Sequence, residues 1–207
     1  VYLIWACRLL KMRGAPFRCE IIGDGELQQS LMNLIFALGL EDQVQLIGPL
    51  TQEHLIAHYH RAAVFCLPAI VDNDGDRDVL PNVLKEAMAC GVPVVTTSIP
   101  GIEELVENGL TGLLVPQKNP WALADALYKL LEDREIAGRL SKSAQQTIED
   151  HFDRRKNFMR LNSLLEWKSE HEEMVRDEGE HILVTESVEN LPSRVSAGRV
   201  CLDESNT

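Results

Sequence analysis

Two apolar runs, Val-Phe-Cys-Leu at 64–67 and Val-Pro-Val-Val-Thr at 92–96, bracket a segment with the marks of a helix. This pairing limits the fold more than any other feature. A strand that is apolar at every position suits a parallel sheet buried on both faces. Between the runs, Pro81 stands where a helix accepts proline in its first turn, and Gly91 stands where a helix exits. The alternation continues along the chain. Strands are expected over 17–22, 44–47 and 112–115. Helices are expected over 1–12, 26–38, 52–61, 81–89, 102–107, 120–131, 135–150 and 153–168. Thr51 caps the third of these, with His54 in place of the Glu of a capping box. Strands and helices in this order make βαβ units, hence an α/β fold whose right-handed crossovers lay helices on both faces of a parallel sheet. Ligands of such sheets bind beyond the C-terminal strand ends. The loops expected there are 23–25, 48–51, 68–80 and 97–101.

Composition narrows the function classes. The chain has 207 residues and a net charge of -12, which argues against a general nucleic-acid-binding role, since phosphate contacts need clustered Lys and Arg. From Glu166 onward there are 11 acidic and 4 basic residues. The reading is a folded domain over 1–168 followed by an acidic, disordered tail over 169–207. Five cysteines (Cys7, Cys19, Cys66, Cys90 and Cys201) form no CxxC pair. They point to a reducing, cytoplasmic setting without a disulfide framework. No apolar run reaches the length of a membrane span, and no signal peptide is evident. The chain opens inside an amphipathic helix carrying Leu3, Ile4, Ala6, Cys7 and Leu10, which reads as truncation upstream.

The chemistry concentrates between Asp78 and Thr97. A helix beginning at Pro81 directs the amides of Asn82, Val83 and Leu84 at the preceding loop, where its dipole favours an anion such as phosphate. Glu86 lies one turn further in, placed to accept two hydrogen bonds from a diol such as a ribose. Asp78, eight residues earlier, can reach the other side of the same ligand. Other polar groups read as structural. His54, His58 and His60 lack a carboxylate or cysteine to complete a metal set. The Asp72, Asp74, Asp76, Asp78 run lacks the closing Glu of a calcium loop, because position 83 is Val. No metal is expected.

Two acidic residues separated by seven, the second within Glu-Ala-Met-Ala-x-Gly-x-Pro-Val-Val, resemble the EX7E motif of family 4 retaining glycosyltransferases, the glycosyl transferases group 1 family. Four further pieces agree in order: IIGDGEL at 21–27, VQLIGPL at 44–50, AAVFCLPA at 62–69 and PGIEELVENGLTGLLVP at 100–116. The resemblance covers residues 1 to about 165. It implies the Rossmann-like C-terminal half of a GT-B fold, the half that binds a UDP- or GDP-sugar. It further implies that Asp78 holds the transferred sugar and Glu86 the ribose, and that Leu80, Pro81, Asn82, Val83 and Leu84 line the diphosphate. Gly23, Ile47 and Gly48 would line the rest of the donor pocket, with the 47–49 loop facing the base. Transfer would proceed without a metal and with retention of configuration. A glycan or lipid-linked acceptor would sit on an N-terminal domain, through which the whole protein would touch the inner membrane.

Two departures accompany the resemblance. Val79 replaces the Gly that follows the first acidic residue. The family's Arg/Lys motif for the diphosphate would precede the first helix, outside this chain. Losing two charge-assisted hydrogen bonds costs about 3–6 kcal/mol, roughly 10²- to 10⁴-fold in affinity or rate. Arg8, Lys11 and Arg77 are the candidates to substitute in part. Two alternatives follow: a truncated nucleotide-binding remnant without catalysis, and a sugar-nucleotide 2-epimerase on a similar fold, which the EAMACG-PVV segment disfavours.

Overall fold

The computed structural model describes residues 1–71, 81–152 and 199–203. The elements are α1 (Tyr2–Met12), β1 (Arg18–Ile22), α2 (Gln28–Ala37), β2 (Val44–Gly48), α3 (Gln52–Arg61), β3 (Val64–Leu67), α4 (Asn82–Ala89), β4 (Val94–Thr97), α5 (Ile102–Leu105), β5 (Leu113–Val115), α6 (Pro120–Glu132), α7 (Arg134–His151) and β6 (Arg199–Asp203). The strands form one sheet in the order β2-β1-β6-β3-β4-β5. β1–β2, β3–β4 and β4–β5 pair in parallel.

Helices cover both faces because strand side chains alternate between two apolar clusters. Val64 and Cys66 join one with residues of α1, α2 and α6, among them Ile4, Leu10, Ile35 and Leu127. Phe65 and Leu67 join the other with residues of α3, α4, α5 and α7, among them Tyr59, Leu84, Ile102 and Ala144. All four residues of β3 and all four of β4 are buried, as the apolar runs require.

Local chemistry sets several boundaries. Thr51 caps α3 by accepting the His54 N–H on its hydroxyl oxygen at 3.5 Å, and the His54 ring Nδ1 lies 3.0 Å from the same oxygen. The imidazole thus reaches back to the cap in place of a Glu. Asn119 caps α6 and Asp133 caps α7 through side-chain oxygens. α2 starts two residues later than its apolar pattern implies, because the Gln28 N–H closes a turn on the Gly25 carbonyl.

Residues 199–203 form the central strand β6. That strand runs antiparallel to both neighbours, with Glu20 level with Cys201 on β1 and Phe65 level with Cys201 on β3. Apart from β6 the pairings are parallel, as the βαβ pattern requires. The helix expected over 153–168 lies outside the described residues. Among the described residues, no helix is long and apolar enough to cross a membrane.

Candidate functional site

α4 emerges from the sheet centre with its N-terminus at the C-terminal end of β3. Pro81 is the N-cap (φ -58°, ψ 122°) rather than a helical residue, so the helix begins at Asn82. The Leu84 N–H donates to the Pro81 carbonyl at 3.1 Å, tightening the first turn. Asn82 and Val83 remain as the anion-facing donors of that turn. Asn82 is exposed, whereas the Val83 and Leu84 side chains are buried. With their side chains buried, those two residues offer a ligand only their backbone, and the Leu84 N–H already has the Pro81 carbonyl as a partner.

Glu86 is half-buried on the next turn and is held by a residue the sequence did not single out. The Tyr59 hydroxyl lies 3.2 Å from Glu86 Oε2 and 3.3 Å from the Val83 carbonyl oxygen, both acceptors for its proton. Tyr59 itself is 1% exposed and packs edge-on against Phe65, ring centroids 5.6 Å apart. One buried phenol thereby fixes both the first turn of α4 and the carboxylate. Spacing from Leu55 marks Tyr59 as a core position of α3, but no local pattern ties it to Glu86. Replacing Tyr59 with Phe is expected to lower unfolding stability by about 1 kcal/mol, measurable by urea denaturation.

Gly23, Ile47 and Gly48 meet at the ends of β1 and β2. The Gly23 N–H donates to the Gly48 carbonyl at 2.9 Å, beyond a register shift between Ile21 and Ile22. Gly48 has φ 82°, while a Cβ there would meet nothing within 4 Å. Its glycine is demanded by backbone conformation, and the space beside it is open. Ile47 packs against the cluster that contains Ile22, Tyr59, Val83 and Leu84. One apolar floor thus joins the β1–β2 loops to the first turn of α4. The exit of β3 is fastened by two threonines near the end of β4. Thr96 donates to the Leu67 carbonyl at 2.8 Å and Thr97 to the Ala69 carbonyl at 2.6 Å. The Val71 N–H donates to Gln117 Oε1 at 2.8 Å. Asp78 and Leu80, with Arg77 and Val79, lie outside the described residues.

The helix-α1 cations expected to substitute for the diphosphate grip are placed elsewhere. Lys11 donates to the Gly39 carbonyl at 2.5 Å and to Gln43 Oε1 at 2.9 Å, at the far end of the sheet. Arg8 borders a concavity of about 360 Å³ on the outer face of α1 and α6, beside Trp5, Met12 and Trp121. Lys85 Nζ sits 6.0 Å from the centre of the Phe152 ring.

His58 of α3 serves the fold: its Nδ1 lies 2.7 Å from Glu20 Oε2 and joins α3 to β1. Among the described residues no three His, Cys, Asp or Glu side chains are grouped to hold a metal. Burial, followed by the neighbouring Glu86 carboxylate, pushes the Cys90 thiol up, and burial pushes Cys66 up as well. Both therefore stay protonated at neutral pH and are poor nucleophiles.

The glycosyl transferases group 1 family matches residues 1–147. The chain belongs to that family. It is 36% identical over 163 residues to the amylovoran biosynthesis glycosyltransferase AmsK of Erwinia amylovora, covering 79% of this chain and 40% of that protein. Against the putative colanic acid biosynthesis glycosyltransferase WcaL of Escherichia coli, identity is 39% over 165 residues, with the same coverage of 79% and 40%. The chain thus spans about two-fifths of the length of these relatives. Among solved structures, HepE of Anabaena in complex with UDP superposes with a TM-score of 0.67 at 24% identity, covering 80% of this chain and 44% of that one. That likeness shows the fold, an α/β unit of GT-B glycosyltransferases, which agrees with the sheet and helix layers described above.

Proposed function

We propose that this chain is the donor-binding half of a retaining, family 4 glycosyltransferase that moves a sugar from a UDP- or GDP-sugar to an acceptor hydroxyl. The observation that carries the reading is Glu86, half-buried and hydrogen-bonded by Tyr59, one turn behind the anion-facing start of α4. In this reading Glu86 accepts the ribose hydroxyls, and the Asn82 and Val83 amides take diphosphate oxygens. Gly23, Ile47 and Gly48 border the base, and Asp78 and Leu80 complete the sugar side. Support for the nucleotide class comes from HepE, whose structure contains UDP.

The bond between the sugar anomeric carbon and the diphosphate breaks as the acceptor oxygen bonds to that carbon from the same face. The acceptor proton passes to the departing phosphate oxygen. The start of α4 stabilises charge developing on the diphosphate, as fixed dipoles do in a preorganised site, and no metal is required. The acceptor, a glycan or a lipid-linked one, would be held by a separate N-terminal domain, and association with the inner membrane would come through that domain. Relatives named for amylovoran and colanic acid biosynthesis make a cytoplasmic step of surface polysaccharide assembly the proposed setting. A second reading, nucleotide binding without turnover by this chain alone, draws support from Arg8 and Lys11 lying away from the site.

Calorimetric titration of the 207-residue chain with UDP and with GDP tests the proposal. Saturable binding of one of them is expected. Glu86→Ala should weaken it roughly tenfold or more, the worth of hydrogen bonds to a charged group. Tyr59→Phe should weaken it by a smaller factor, because the carboxylate remains but loses its anchor. No heat with either nucleotide at millimolar concentration would sink the reading.

A further inference from the structure

The two helix layers differ in what they show to solvent. Ten large apolar side chains are exposed among the described residues. Five of them stand on α1, α2 and α6: Trp5, Met12, Met32, Phe36 and Trp121. On the described helices of the opposite layer, α3, α4, α5 and α7, Ile56 is the one such residue. Scattered single exposures are ordinary, whereas a gathering on one face marks an interaction surface. α1 packs against both α2 and α6, so the five side chains share one layer.

Charge follows the same division. Residues 1–14, 27–40 and 116–132 hold five Lys and Arg and two acidic residues, within a chain of net charge -12. Of those two acids, Asp125 is already paired with Arg13. α2 has no charged residue. Trp5 and Trp121 border one concavity of about 360 Å³, which Arg8 also lines. Trp121 is 64% exposed and Met12 67%, so neither is committed to the core.

These features fit one kind of occupant. An indole joins an apolar ring to a single N–H donor, which suits the boundary between acyl chains and headgroups. A guanidinium beside it suits a phosphate. Two-fold pairing of this layer with a second copy would set two positive faces together. A surface of anionic phospholipid offers negative charge and apolar depth at once. The acidity of the rest of the chain opposes this little, because exposed charges more than about 8–10 Å apart are largely screened at physiological salt.

We propose that the layer of α1, α2 and α6 docks on an anionic lipid bilayer, with Trp5 and Trp121 in the headgroup zone and Arg8 on lipid phosphate. This contact belongs to the donor half itself, apart from the one proposed above through an N-terminal domain, and it does not depend on nucleotide binding.

The test is flotation of the 207-residue chain with vesicles of equal parts phosphatidylglycerol and phosphatidylcholine, and with vesicles of phosphatidylcholine alone. Binding to the mixed vesicles is expected, and it should fall on phosphatidylcholine alone and at high salt. Replacing both Trp5→Gln and Trp121→Gln should lower partitioning roughly tenfold or more. Arg8→Gln should lower it roughly fivefold. Ile56→Gln, on the opposite layer, should leave it unchanged. In a Trp167→Phe background, Trp5 and Trp121 are the remaining tryptophans. Their emission should shift to the blue on the mixed vesicles and be quenched by lipids brominated near the glycerol. No binding to the mixed vesicles overturns the proposal, and so does an unshifted emission. Binding that survives the double replacement overturns it as well, since the contact then lies elsewhere. Self-association that the double replacement abolishes, without vesicle binding, would assign the layer to a second copy of the chain instead.

Discussion

Deleting residues 199–207 is expected to abolish cooperative unfolding. β6 has five register partners on β1 and three on β3, so its removal leaves both strands with an open edge at the centre of the sheet. Each ladder hydrogen bond contributes only about 1 kcal/mol net. Several are lost together, and β1 and β3 each lose a neighbouring strand. The combined loss is comparable with the roughly 5–15 kcal/mol that separates a folded domain from its unfolded state. Thermal melts followed by circular dichroism should show a broad, shallow transition, with dye binding to newly exposed apolar surface. A synthetic peptide of residues 199–207 should restore a sharp transition when added in excess. A deletion variant that melts sharply within a few degrees of the full chain would show that β1 and β3 close on each other without β6.

That strand is also the least legible element of the sheet in the sequence. The run at 64–67 is a strand with the expected bounds. It was legible because a doubly buried strand needs only its own four apolar residues to declare itself. α3 was equally legible, since Thr51 caps it and Leu55 and Tyr59 sit one turn apart on its buried side. Arg-Val-Cys-Leu-Asp has three apolar residues between charges, too few for any period to show. Its strand character comes from β1 and β3, supplied by segments over a hundred residues away, and the surrounding acidic stretch masks it further. Within the site, the start of α4 was legible from Pro81 and the apolar positions after it. The engagement of the Leu84 amide was not, because Pro81 adopts an extended ψ and turns its carbonyl toward that amide. The position of Lys11 was illegible for a related reason. A helix has two ends, and sequence spacing alone does not say which end meets the ligand; the contact with the Gly39 carbonyl does.

Gly112→Ala is expected to be the most damaging single substitution among the described glycines, at about 3 kcal/mol. A Cβ there would lie 2.6 Å from Val94 Cγ2, 2.7 Å from Val106 Cγ1 and 3.0 Å from the Val94 carbonyl oxygen. Two of these atoms belong to β-branched side chains locked by packing, and the third is backbone, so nothing nearby can yield cheaply. β5 starts at the next residue and pairs with β4 through Val95 and Leu113, which sets the close approach. This gives a physical reason for the second glycine of the Asn-Gly-Leu-Thr-Gly segment. Two companion substitutions separate the possible causes. Gly109 has φ 80°, and a Cβ there would meet nothing within 4 Å, so Gly109→Ala should cost only the left-handed backbone penalty, about 1–2 kcal/mol. Gly138 lies inside α7 with nothing within 4 Å, so Gly138→Ala should stabilise by about 0.5–1 kcal/mol through helix propensity. Urea denaturation of the three variants should rank them in that order. If Gly112→Ala costs no more than Gly109→Ala, the contact of β5 with Val94 and Val106 is looser than these distances require.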